Sequence, residues 1–293
     1  MGPMLGKSAP PAPEPRAPDP EPAVAKPGGN LRGAVLWTAG ILLALGLTWF
    51  VPTVAVPFFQ ARSLLREHNL HSFRRWSSDY GRRHIAGCMG SPERARLGLK
   101  LNLRISPLTP EQRLTALRLL GYCGKCAMPD LLEALGRKDQ DARRVAAAAI
   151  GDVGPEARDA IPALIRALAD GHAGVRVCAM LALGKIGPEA RAAVPLLIRT
   201  LADTDKSHQS EADSAAEALG GIGPEAMPPL LELIASPDPW VRCRAVRALG
   251  LMGPAAKDAL PAIEKVLREE KDELVLHGAA KAFMRMRSEG QPK

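Results

Sequence analysis

Few side chains in this sequence have the type and spacing for chemistry, and those few gather in one stretch. Cys123-Gly124-Lys125-Cys126 is a CxxC pair, Cys88 lies upstream of it, and His84 stands four residues before Cys88. Three sulfurs and one ring nitrogen could hold zinc. Outside the cytoplasm two of the thiols could form a disulfide; plain structural thiols are the expected reading. Cys178 and Cys243 stand apart from this group. The six histidines, His68, His71, His84, His172, His208 and His277, fall in no zinc-helix, nucleophile or phosphate-loop pattern. The sequence therefore predicts no catalytic residue, no metal ligand set and no cofactor.

The elements that would position these cysteines are repeated. Pro129, Pro162, Pro195, Pro228 and Pro261 recur every 33 residues. Proline suits the first turn of a helix, where its missing N–H costs nothing. Leu131, Leu164, Leu197, Leu230 and Ile263 follow two residues later, and Leu135, Leu168, Leu201, Ile234 and Leu267 six later. This spacing makes one apolar stripe on a first helix, A.

A second helix, B, is expected to end at a glycine pair: Gly121/Gly124, Gly151/Gly154, Gly184/Gly187, Gly220/Gly223 and Gly250/Gly253. Five residues before the first glycine stands Ala116, Ala146, Ala179, Ala215 or Ala245, small enough to let helices approach closely. Gly-Pro-Glu-Ala at 154–157, 187–190 and 223–226 then turns the chain back into helix A. Cys123 aligns with Val153, Ile186, Ile222 and Met252, an apolar slot between the glycines, where a thiol is simply a small hydrophobe. In the last unit Phe283 and Met286 stand where the two glycines are expected. Upstream, Thr109-Pro110-Glu111-Gln112 reads as a helix start with a capping box, and Ser91-Pro92-Glu93 as another, which predicts a capping helix over 91–105.

A fixed period of this length is the signature of a stack whose units bury their apolar faces against one another. The segment 161–190, IPALIRALADGHAGVRVCAMLALGKIGPEA, resembles a HEAT repeat of the short bacterial type also found in phycobilisome lyase-like proteins. The resemblance covers roughly 110–287 and implies an all-α, right-handed α-solenoid of about five helix pairs. Its Val-Arg at the start of helix B is matched at Val175-Arg176 and Val241-Arg242, with Arg113 and Arg143 in the same arginine position. The fourth unit has Ala212 there, and its 203–213 stretch is three residues longer, which predicts a longer loop.

The remaining regions differ in composition. Residues 1–32, with nine prolines by Pro27, are expected to be a disordered tail. Residues 33–59 carry no charge, and 33–57 are expected to form a transmembrane helix with Trp37 and Trp49 near the ends of its apolar core. Residues 58–90 read as a basic juxtamembrane linker, 91–287 as the solenoid and 288–293 as a tail. Positive charge is concentrated after the apolar run: residues 60–127 hold thirteen Lys/Arg against four Asp/Glu, whereas 128–293 hold twenty-two against twenty-four. Arg62, Arg66, Arg74 and Arg75 suit anionic headgroups, and the near-neutral repeats argue against nucleic acid. The arginines also favour a cytoplasmic solenoid, although an uncleaved signal anchor would place it outside.

The expected function is that of a membrane-anchored, non-enzymatic scaffold for a protein partner. Counting back from the first glycine, positions one, four, five and eight are expected to be buried and positions three, six, seven and ten open. The open set reads Arg118, Arg144, Val145, Val177, Cys178, Leu181, Asp213, Glu217, Trp240, Arg244 and Arg247. An apolar centre with charged ends resembles a protein interface, and Arg144, Val177, Leu181, Glu217, Trp240, Arg244 and Arg247 are its candidate contacts. The resemblance to lyase-like proteins keeps a bilin-handling role as the alternative, and the cysteines keep a redox or metal sensor.

Overall fold

The computed structural model describes residues 56–67, 90–105 and 108–288. All of them lie in one compact unit, Thr48–Lys293; the other unit, Met1–Leu47, contains none. The expected span 33–57 therefore lies almost wholly outside the described residues, as do the proline-rich tail, Arg74, Arg75, His84 and Cys88. Among the described residues no helix is long and apolar enough to cross a membrane.

The expected linker begins as a helix. α1 (Val56–Glu67) packs on α2 (Pro92–Ile105) through the fully buried Ala61, Ala95 and Leu99. Next comes α3 (Pro110–Tyr122), the first B helix, closed at its start by the Thr109–Gln112 capping box. Five A–B pairs follow: α4 (Met128–Leu135) with α5 (Gln140–Val153), α6 (Ile161–Ala167) with α7 (Ala173–Ile186), and α8 (Val194–Leu201) with α9 (Gln209–Ile222). The last two are α10 (Met227–Leu233) with α11 (Pro239–Met252), and α12 (Leu260–Glu269) with α13 (Glu273–Arg287). No strand occurs among the described residues.

The two glycines of each repeat do different jobs, and only the second is a stop. Gly154, Gly187, Gly223 and Gly253 have φ between +59° and +92° and open the 3₁₀ turns that carry the chain into the next A helix. Side chains with a Cβ rarely adopt that conformation. The first glycine lies inside helix B, contrary to the expectation that the helix ends there, and its role is close approach. A Cβ on Gly184 would sit 2.7 Å from Ala218 Cα; on Gly151, 2.9 Å from Ala182 Cα; on Gly250, 2.8 Å from Ala282 Cα. Each first glycine thus receives the next B helix almost backbone to backbone.

This contact corrects the register of the last repeat by one residue. Gly250 meets Ala282 as Gly184 meets Ala218, two residues before the next first-glycine position, so Met284 holds that position in α13. Met286 then fills the buried slot of Val153, Ile186, Ile222 and Met252. Met284 is 70 % exposed, because no further B helix arrives to demand a glycine.

The arginine eight residues before the first glycine was expected to be buried in the core; instead Arg113 is exposed, and Arg143, Arg176 and Arg242 are half-buried braces between repeats. Arg143 pairs with Asp170 (Nε–Oδ2 2.7 Å) and donates to the carbonyls of Arg137 and Lys138. Arg176 forks onto Glu211 (2.8 and 2.5 Å) and donates to the Asp170 carbonyl. Arg242 does the same with Glu270 (2.7 and 3.0 Å) and the carbonyls of Ser236 and Pro237. Each guanidinium holds its own A–B loop behind and the next repeat's carboxylate ahead, a geometry that its planar fork of donors fits. At the other end, Arg96 and Lys100 of α2 grip the buried Asp130 of α4 at 2.6 and 2.7 Å, which seats the capping helix.

Candidate partner-binding face

Successive B helices form one packed layer, held together by the first glycines and their alanine partners. Position one before the glycine is fully buried in every repeat down to Leu249, as are the alanines at position five. Position two is buried as well, in Leu119, Ala149, Ala182, Ala218 and Ala248. The open stripe is therefore narrow. It comprises positions three, seven and ten and, missed by the sequence reading, the residue just after the first glycine in the later repeats (Lys185, Gly221 and Leu251), whereas Tyr122 is buried there and the Asp152 side chain is only 9 % exposed. That residue lies four on from position three, one helical turn further along the same stripe, so the wheel already contained it.

The expected contacts divide on this surface. Val177 and Leu181 of α7 are half-exposed and Glu217 of α9 is exposed. With Gly184, Lys185, Gly220, Gly221 and Leu251 the last two line a hollow of about 460 Å³. Arg247 is exposed, and Trp240 is 49 % exposed beside the 204–209 loop, with its backbone N–H capped by Asp238 at 2.7 Å. Arg144 is half-exposed and shares Asp141 on its own helix (3.1 Å). At position six Val145 and Arg244 are buried, contrary to the expectation, whereas Cys178 is half-exposed.

Arg244 is only 5 % exposed, and its donors are spent inside the fold. Nε pairs with Asp213 at 3.1 Å and Nη1 donates to the Asp203 carbonyl at 3.2 Å. The cause is Ala212. The fourth repeat has no arginine to hold its long loop, so the next repeat supplies one. The loop itself carries a 3₁₀ turn at Lys206–His208, and the Asp203 carboxylate meets His208 Nδ1 at 3.0 Å.

Toward the first repeats the stripe is ionic. Asp152, just after Gly151, binds Arg118 at 2.7 Å and Lys185 at 2.9 Å. At the far end α11 and α13 present Arg247, His277, Lys281 and Arg285 around Leu251 and Leu274. Of the proposed membrane-facing arginines, Arg62 lies on α1 and is half-buried, and Arg66 falls on the same helix.

The cysteines behave as packing groups. Cys123 is buried and its Sγ donates to the Leu119 carbonyl; Cys126 Sγ donates to the Cys123 carbonyl at 3.1 Å. Burial pushes both thiols up, away from the thiolate that metal binding or redox attack requires. Among the described residues no cluster of three His, Cys, Asp or Glu is placed to hold a metal.

The family model for HEAT repeats matches residues 128–213 and 204–284, more than half of the chain. The chain belongs to the HEAT-repeat family. No curated protein matches it. Similar solved structures include the complex of CpcE and CpcF of phycocyanin lyase from Nostoc sp. PCC7120, at 22 % identity over 71 % of this chain and 88 % of that one, with a TM-score of 0.39. The archaeal HEAT-like repeats protein from Thermococcus onnurineus NA1 is 18 % identical over 64 % and 78 %, with a TM-score of 0.43. A computationally designed armadillo repeat protein for modular peptide recognition is 21 % identical over 67 % and 99 %, with a TM-score of 0.40. Lyase activity and peptide recognition belong to those proteins.

Proposed function

We propose that this HEAT array is a membrane-anchored scaffold that acts by binding a protein partner along its B-helix stripe, and not by catalysis. One observation carries the reading: a continuous stripe with apolar Val177, Leu181 and Leu251 at its centre and charged side chains at both ends. That composition suits an interface, in which a few desolvated apolar anchors supply most of the energy inside a polar rim. Curvature supports it. Successive B helices meet at glycine and alanine, whereas successive A helices meet mainly through the 3₁₀ turns. A stack whose one layer packs closer than the other bends toward that layer, which gives the B helices the inner surface. The anchor rests on the uncharged run 33–59 with Trp37 and Trp49, and the arginines that follow it favour a cytoplasmic array.

The test is capture by the chain in native membranes followed by cross-linking. Leu181→Glu is expected to abolish capture of the principal partner with unchanged thermal stability. Wild-type capture by a folded Leu181→Glu chain removes this face as the binding site. Release of the wild-type chain by carbonate washing removes the anchor.

A further inference from the structure

If the array is a scaffold, as proposed, the far end of its stripe narrows the chemistry of the partner. Most arginines placed between repeats are neutralised: Arg118 by Asp152, Arg143 by Asp170, Arg176 by Glu211, Arg242 by Glu270 and Arg244 by Asp213. Arg247 of α11 and Lys281 and Arg285 of α13 depart from that pattern. All three are exposed, and none forms an ion pair among the described residues. They converge with His277 on one hollow of about 350 Å³ between α11 and α13. Its floor is Gly250, Gly278 and Ala282, flanked by Leu251 and Leu274, which are 38 % and 40 % exposed. Two nearby carboxylates are already engaged: Asp213 is held by Arg244, and Asp272 caps the backbone N–H groups of Leu274 and Val275; Glu217 lines the neighbouring hollow on α9 and not this one.

Three uncompensated cations around an apolar floor are complementary to carboxylates flanking an aliphatic side chain. A nucleic acid fits less well. Its phosphates need a continuous basic track, and residues 128–293 carry twenty-two basic against twenty-four acidic side chains. A small anion alone would leave both leucines uncovered. We propose that the hollow between α11 and α13 seats a short acidic segment of the partner protein, with an aliphatic side chain against Leu251 and Leu274 and carboxylates on Arg247, Lys281 and Arg285.

The probe is a fluorescein-labelled peptide of repeated Glu-Glu-Leu, with its Lys-Lys-Leu counterpart and a single-stranded oligothymidylate as competitors. Anisotropy is read on the chain and on Lys281→Glu/Arg285→Glu. Both positions are exposed, and melting curves verify that the variant is folded. The acidic peptide is expected to bind, to weaken by at least about tenfold in the folded variant and to weaken as salt rises. Absence of binding, equal affinity for wild type and variant, equal affinity for the basic peptide, or displacement by oligothymidylate at equal concentration overturns the proposal. Capture of the native partner separates the two readings. Loss in Leu181→Glu with full capture by Lys281→Glu/Arg285→Glu leaves the scaffold standing and refutes this seat; full capture by both folded variants refutes both.

Discussion

Gly184→Ala tests the central feature of the stack, the near-contact of successive B helices. Two opposing terms decide its sign. Alanine is the better helix former by about 0.8–1.0 kcal/mol, so the substitution in isolation would stabilise α7. Against this, the new Cβ would lie 2.7 Å from Ala218 Cα and 3.2 Å from Ala218 O. Both are backbone atoms of α9 and cannot rotate away. Ordinary carbon–carbon contact is about 3.5–4.0 Å, so α7 and α9 must separate by roughly 1 Å along their length. Gly221 of α9, whose own Cβ position falls on Gly184, closes the other side of the same contact. Overpacking costs about 1–3 kcal/mol, and against backbone atoms that cannot give way the upper part of that range, about 2–3 kcal/mol, applies; subtracting the helix-propensity gain leaves a net loss of about 1–2 kcal/mol. For an array of this size that corresponds to a fall in Tm of roughly 2–8 °C. The assay is thermal and urea denaturation of Gly184→Ala beside Met284→Ala. Met284 holds the same position in the last repeat, faces no further helix, and is expected to change stability by less than about 0.5 kcal/mol. A Gly184→Ala chain as stable as wild type, or more so, would refute the close-approach argument. So would equal losses in the two variants.

Acid should loosen the bracing between repeats. The Arg242 guanidinium, and after it the backbone N–H of Asp272, hold the Glu270 carboxyl at about 2; Arg143 holds Asp170 low and Arg176 holds Glu211 low. Folded values below the unfolded ones mean that this stability is complete above the unfolded range, about pH 4–4.5, and is lost as pH falls toward 2. Tm is therefore expected to be flat from about pH 7 to 5 and to drop steadily below about pH 4; a Tm unchanged at about pH 2.5 would show that the braces contribute nothing. Maleimide labelling of the native chain is expected to modify half-buried Cys126 before buried Cys123, with mass mapping as the readout; equal rates would contradict the packing of Cys123.

Legibility in the sequence followed the range of the physics. The A helices, the Thr109–Gln112 cap, the capping helix after Ser91 and the apolar slot of Cys123 each depend on neighbours within a few residues, or on a period that repeats in register, and the structure has all of them. The candidate face was legible only in part. Val177, Leu181, Glu217, Trp240 and Arg247 lie open as expected, and Lys185 and Leu251 could have been added from the wheel alone. Val145 and Arg244 could not have been removed from it. A helix inside a stack has a neighbour on each side as well as its own A helix, so its buried arc is wider than half a turn.

The sequence by itself determined the class of object: helix pairs in a 33-residue period, a glycine that must turn left-handed after each B helix but the last, and an apolar face on each element. Backbone preference and helical spacing are local, and one chain segment carries them. The tertiary structure alone decided which groups meet across repeats. It made the first glycine a point of contact and not a stop, and it joined Arg176 to Glu211 across 35 positions. It turned Arg244 inward to hold a loop 41 residues away and left Met284 free of the glycine rule. Each of these depends on where the next helix lies, and the distance of that approach is set by the packing of all the repeats together.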